Sequence, residues 1–302
     1  MPPTISTVFP TLSGYAFRQG PTSGCTLVPA VRPEQAGPLA LRTYFLFLST
    51  TAHLLDSARA MSLLPLSRSI LLLGDSITQQ GTMAGGYSQV LSQAYIRKLD
   101  VVNRGYGGYN SRFLYEVVKQ MAVEEGTKGL SKVALVTLFI GANDSTDAVM
   151  NPRQHVALPL YKEKVKAILA LFPATVAKIL IAPPPSQPDR FSKLIGQVSP
   201  DRSNEVTKQY ADAIVEVGLE IGVPVVNLFT EFTKIPESEW DRLFSDGLHL
   251  TAAGYEILSS ALASLIKTKY PALDPDALPM VFPDWQSIDL DNIEESLRYK
   301  GD

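Results

Sequence analysis

Across residues 69–267 short apolar runs alternate with stretches whose apolar residues recur at helical spacing, and that alternation limits the chain to few folds. Ile70-Leu71-Leu72-Leu73, closed by Gly74, reads as a strand buried on both faces. Val90, Leu91, Ala94 and Tyr95 follow at helical spacing. Residues 99–102 read as a second strand, and Phe113, Val117, Val118 and Met121 as the next helix. The longest apolar run, Val133-Ala134-Leu135-Val136-Thr137-Leu138-Phe139-Ile140, is expected to be the central strand. A helix over 161–171 leads to a strand at 178–182, which Pro183-Pro184-Pro185 stops. A helix near 204–221 precedes a strand at 224–228. The last helix, 252–267, starts after Thr251, a good N-cap. Strands alternating with helices predict an α/β fold, one parallel sheet between two helical layers. In such sheets ligands and reactive groups gather at the carboxyl ends of the strands.

Four strand-end segments carry residues suited to chemistry. Gly74-Asp75-Ser76-Ile77-Thr78 places a serine on a tight strand-to-helix turn, with its amide among the free N–H groups of a helix start. Read alone, Ser76 could equally be a plain N-cap. Asn103-Arg104-Gly105-Tyr106-Gly107-Gly108-Tyr109-Asn110 offers glycines that let a backbone N–H approach a reacting carbonyl oxygen. A dinucleotide loop is the rival there, but position 110 is Asn and the segment does not follow the first strand of the sheet. A phosphate-binding loop fails as well, since Gly74 to Gly81 has the wrong spacing and no lysine follows.

In Gly141-Ala142-Asn143-Asp144 an uncharged amide can donate to a developing oxyanion, although Asn is also a common turn residue. In Asp246-Gly247-Leu248-His249 a carboxylate three residues before a histidine can hold the imidazole by Nδ1–H. That leaves Nε2 free to take a serine proton. Asp246 as a turn residue and His249 as a surface residue is the bland alternative. Four such coincidences at four strand ends are less plausible than one acyl-transfer site.

Composition removes other classes. A net charge of -3 gives no basic field for nucleic acid or an anionic membrane. Three histidines (His53, His155, His249) and the single Cys25 cannot build a closed Cys/His zinc site, so no metal and no cofactor are expected. One cysteine also excludes an intrachain disulfide, which fits a reducing compartment such as the cytoplasm. Residues 1–60 hold no lysine, four arginines and two acids, with many Ser, Thr and Pro. They are expected to be a disordered extension, an upstream start ahead of Met61, or a mitochondrial targeting segment. The apolar stretch at 44–55 is interrupted by polar residues and too short for a membrane span. The expected organisation is an extension over 1–60, a catalytic domain over 61–270, and a tail over 271–302 packed on that domain.

The four segments, in this order, resemble the SGNH (GDSL) hydrolase superfamily over residues 70–267. The resemblance implies a single three-layer, flavodoxin-like domain with a five-stranded parallel sheet and no large lid. It implies Ser76 as nucleophile, His249 as base, Asp246 as its orienter, and Ser76, Gly108 and Asn143 as oxyanion donors. Gly107 is the adjacent alternative to Gly108. Asn103-Arg104-Gly105-Tyr106, Gln154-His155-Val156, Pro183-Pro184-Pro185 and Phe282-Pro283-Asp284-Trp285 look like the isoamyl acetate-hydrolysing esterase group. His155 is then a structural or pocket-lining residue, because His249 already has its carboxylate. The implied activity is hydrolysis of small acetate-type esters through an acyl-serine intermediate, with lipid degradation among the uses of such sites. Removal of acyl groups from sugars, lysolipids or thioesters is the runner-up, and a non-catalytic binding protein on the same fold the alternative from another class. The implied partner is a small ester, with no nucleic acid and no stable membrane insertion; a homodimer is admitted.

Overall fold

The computed structural model describes residues 8–10, 15–19, 25–29, 68–130 and 132–299. The chain divides into two units, Met1–Leu64 and Pro65–Asp302. In the first, β1 (Val8–Pro10), β2 (Tyr15–Gln19) and β3 (Cys25–Pro29) form an antiparallel sheet in that order. These strands fall within the stretch expected to be a disordered or targeting extension. Their lengths of three to five residues are too short for an alternating pattern to stand out in the sequence. The apolar stretch at 44–55 and Met61 lie outside the described residues.

The second unit is a five-stranded parallel sheet, β4 (Ser69–Gly74), β5 (Asp100–Gly105), β6 (Val133–Phe139), β7 (Ala177–Ala182) and β8 (Val225–Asn227), in the order β5-β4-β6-β7-β8. The run at 133–139 is indeed central, and all seven of its residues are buried. Successive residues of β4 feed opposite cores. Ile70 and Leu72 join Tyr87, Leu91, Leu258 and Leu262 on one face, while Leu71 and Leu73 join Leu114, Val118, Val165 and Ile214 on the other. This is why the strands read as unbroken apolar runs: both faces are covered.

The first face carries α2 (Tyr87–Ala94) and α8 (Ala252–Lys269); the second carries α3 (Ser111–Leu130), α4 (Leu158–Ala170) and α6 (Asn204–Ile221). The stripe expected on the first helix is displaced. Val90 is 40% exposed and Ala94 is exposed, whereas Tyr87, Leu91 and Tyr95 form the buried row at four-residue spacing. Thr251 caps α8, its hydroxyl accepting from Gly254 N at 3.3 Å. The helix start expected at Ser76 is α1 (Ser76–Gln80), whereas α5 (Pro188–Leu194) and α7 (Leu228–Thr233) went unpredicted, each too brief to show a helical period. The tail crosses the end of α2. Val281 N donates to Arg97 O at 2.8 Å, and Arg97 Nη2 donates to Pro283 O at 2.7 Å.

Register aligns the strand ends. Gly74 lies opposite both Gly105 and Phe139, and Ala182 opposite Asn227, so the four motif loops open on one edge of the sheet or beside it.

Candidate active site

Ser76 is the first residue of α1, separated from β4 by Asp75 alone. Asp75 caps that helix through Oδ1, which accepts from Ile77 N at 2.9 Å. As the first residue of the helix, Ser76 has an amide with no acceptor inside it. The serine hydroxyl lies 2.8 Å from His249 Nε2, and His249 Nδ1 lies 2.5 Å from Asp246 Oδ2. With Nδ1–H donating to the carboxylate, Nε2 is the acceptor for the serine proton. The other carboxylate oxygen, Asp246 Oδ1, accepts from Leu248 N at 2.9 Å and His249 N at 2.8 Å. Burial works against a charge on Asp246, but the hydrogen bonds from the His249 ring and the two backbone amides outweigh it and hold its pKa down to about 2. The orienting group is therefore ionised throughout the range in which an imidazole accepts a proton.

The glycine loop lies against Ser76. A Cβ placed on Gly107 would come within 3.9 Å of Ser76 Cβ. The two glycines differ in what their amides do. Gly107 N donates to Gln79 Oε1 at 2.7 Å, whereas the Gly108 amide has no acceptor among the described residues. Gly108, at φ +76, uses a backbone conformation that L side chains rarely adopt. Its carbonyl accepts from Gln154 Nε2 at 2.9 Å, which fixes the peptide plane of the loop. The spent amide of Gly107 leaves Gly108 as the glycine with a donor to spare.

Asn143 is buried, and its Nδ2 donates to Tyr109 O at 2.9 Å, tying the third motif to the glycine loop. An amide NH₂ has a second hydrogen, which remains for a substrate oxygen. Asn110 braces the same loop, with Nδ2 donating to Gln154 O at 2.9 Å and Oδ1 accepting from Phe113 N at 3.0 Å. Thus hydrogen bonds join Ser76, His249 and Asp246, while Asn143 and Gly108 belong to loops tied to each other through Tyr109 O. His155 is engaged elsewhere: its Nδ1 contacts Thr146 O at 2.6 Å.

Sequence reasoning missed the supports. Gln79, Gln154 and Asn110 act through hydrogen bonds to backbone groups, which no spacing rule announces. Asp75 and Asp144 sit inside recognised motifs, yet their burial was not legible. Burial raises Asp75 to about 6 and Asp144 to about 7, despite hydrogen bonds from Ile77 N and from Ser111 respectively. Each has one carboxyl oxygen, Oδ2, buried without a hydrogen-bond partner. Among the described residues no group of three or more His, Cys, Asp or Glu side chains could hold a metal ion, and no helix is long and apolar enough to cross a membrane.

Comparison with known proteins places the chain in a family. The family model described as "GDSL-like Lipase/Acylhydrolase family" matches residues 72–257, a span that contains all five site residues. An isoamyl acetate-hydrolyzing esterase 1 homolog of Rattus norvegicus is 35% identical over 239 residues, covering 77% of this chain and 93% of the relative. The isoamyl acetate-hydrolyzing esterase of Saccharomyces cerevisiae is 29% identical, with 72% of this chain and 94% of the relative covered. Among solved structures, a lipase/acylhydrolase from Enterococcus faecalis superposes with a TM-score of 0.54 at 23% identity, covering 70% of this chain and 98% of the other.

Proposed function

The chain belongs to the GDSL-like lipase/acylhydrolase family and is a carboxylic ester hydrolase, and we propose that it cleaves small acetate-type esters through an acyl-serine intermediate formed on Ser76. The observation that carries this reading is the unbroken hydrogen-bond chain Ser76–His249–Asp246, at 2.8 and 2.5 Å. Ser76 Oγ attacks the ester carbonyl while His249 Nε2 accepts its proton and returns it to the departing alcohol. Charge on the tetrahedral oxygen is met by the amides of Ser76 and Gly108 and by Asn143 Nδ2. His249 then activates a water that releases the acid. Asp246 stays ionised and holds the ring. The small-ester preference is supported by the names of the rat and yeast relatives. We further propose that residues 61–270 carry this activity without residues 1–60, which contain none of the five expected site residues.

The test is a series of aryl and isoamyl esters of rising acyl length. Acetate esters are expected to give the highest kcat/KM, with at least a ~10-fold fall by an eight-carbon acyl chain. A maximum at long acyl chains would replace the small-ester reading with that of a long-chain acylhydrolase.

A further inference from the structure

Both imidazole and carboxylate are carried on a tight hairpin. Phe244 and Leu250 form an isolated antiparallel bridge, and Ser245 N donates to His249 O at 2.8 Å. Asp246 and His249 thus stand beyond that bridge, outside the sheet's ladder. A neighbouring segment grips this hairpin. Arg190, on α5, donates from Nη2 to Ser245 O at 2.9 Å and from Nη1 to Phe244 O at 3.3 Å. Its Nη1 also reaches Gln187 Oε1 at 2.9 Å and Asp241 Oδ1 at 3.3 Å, while Gln187 Nε2 donates to the same Asp241 oxygen at 2.7 Å.

The backbone joins in, since Gln187 N donates to Gly247 O at 2.7 Å. Gly247, at φ +96, fits so closely that a Cβ there would lie 2.8 Å from Gln187 O. Phe191, the residue after Arg190, presents its ring edge-to-face to His249 with centroids 6.2 Å apart. Two successive carbonyls held by one planar fork is a task for guanidinium, which an ammonium cannot reproduce.

We propose that Arg190 is a positioning residue: aligned by Gln187 and Asp241, its guanidinium fixes the carbonyls of Phe244 and Ser245 and thereby sets the approach of His249 to Ser76. The proposal rests on Ser76, His249 and Asp246 being the triad. Arg190 touches neither the reacting atoms nor the triad side chains. Its ion pair with Asp241 is largely solvent-exposed, at 39% and 81%, and such pairs add little to stability. The effect of Arg190 therefore belongs in turnover, because a displacement of about 1 Å at a reacting group lowers rates by ~10²-fold.

The experiment compares Arg190→Ala and Arg190→Lys with the unsubstituted chain for kcat, KM and the rate of fluorophosphonate labelling of Ser76. Arg190→Ala is expected to lower kcat by ~10- to 100-fold with KM within about twofold, and to slow labelling in parallel. Guanidinium chloride at low, non-denaturing concentration should restore part of the loss, entering a surface cavity of about 780 Å³ lined by Gln187, Arg190, Ser245 and Asp246. Ammonium chloride at equal ionic strength should not, and Arg190→Lys should recover less than guanidinium does. Unchanged kcat in folded Arg190→Ala, rescue by ammonium as good as by guanidinium, or failure of both variants to fold would overturn the proposal. An active Ser76→Ala protein would instead overturn the triad assignment, whatever Arg190 does.

Discussion

Ser76 and His249 meet at 2.8 Å, yet they reach that distance from supports of opposite character. Ser76 follows a strand buried along Ile70–Gly74 and begins a helix capped by a buried carboxyl, while Asn143 and Gly108 are pinned by Tyr109 O and Gln154. The hairpin with Asp246 and His249 leans on partly exposed side chains of α5 and retains 15% and 21% exposure at its own imidazole and carboxylate. The nucleophile and oxyanion donors are thus fixed by the core that folds the sheet. His249 stands at the tip of a hairpin whose flanking Phe244 and Leu250 are buried in that same core, and polar contacts from Arg190 hold the hairpin backbone. Such a division lets the part that must hold a developing charge stay rigid, and lets the part that must move a proton keep its ring accessible.

The strongest test of whether the two regions work as one is a double substitution. Ser76→Ala is expected to lower kcat on the order of 10⁶-fold with folding unchanged, and His249→Ala nearly as much. The pair together should lose little more than either alone, because each removal already abolishes the shared proton transfer. Additive losses would mean that the nucleophile side and the base side act separately. His155→Ala, whose Nδ1 is spent on Thr146 O, should leave kcat within a few-fold and change thermal stability instead.

Asn143→Ala probes the sheet-borne side alone. Removing Nδ2 should lower kcat by ~10²–10³-fold with little change in KM, since the donor matters only once charge develops on the oxygen. Steady-state kinetics on one acetate ester decide this. A loss confined to KM would move Asn143 from oxyanion donor to ground-state binding, and the rigid side would lose one of its three donors.

The same division decides what could be read from the sequence. Each sheet-borne residue lies within a few positions of an apolar run and a glycine, so local pattern placed Ser76, the glycine loop and Asn143 together. The central place of 133–139 followed from the length of that run, whereas the order of the other strands did not. Asp246 and His249 were legible through their three-residue spacing. Their support was not: Arg190 and Gln187 are some fifty residues from the carbonyls and carboxylate they bind, and nothing local marks them. The resemblance preferred Gly108 to Gly107, but the physical difference between them, a single bond from Gly107 N to Gln79 Oε1, had no local signal. In the N-terminal unit, strands of three to five residues left no period to read.

The smallest effect on turnover, and the one that separates the regions by sign, concerns pH and stability. Beneath the nucleophile, burial raises Asp75 to about 6 and Asp144 to about 7, above the ordinary 3.8. Between about pH 4 and 7 the folded state therefore holds more protons there than the unfolded chain. Stability from these two groups is complete below pH 4 and is lost as pH rises through their folded values. In the hairpin the sign reverses. Asp246, lowered to about 2, contributes above the ordinary carboxylate range and loses that contribution as pH falls through about 2. Asp144→Asn isolates the first effect, because an amide oxygen can still accept from Ser111 N and Ser111 Oγ, as Asp144 Oδ1 does at 2.9 and 2.5 Å. The variant should lose part of the decline in urea-unfolding free energy between pH 4 and 7, at most about 1.4 kcal/mol per pH unit. Activity on acetate esters at neutral pH should stay within a few-fold. A decline as steep as in the unsubstituted chain would mean that Asp144 is ionised in the folded protein at pH 4, so that the base of the nucleophile turn and the hairpin carry charge alike.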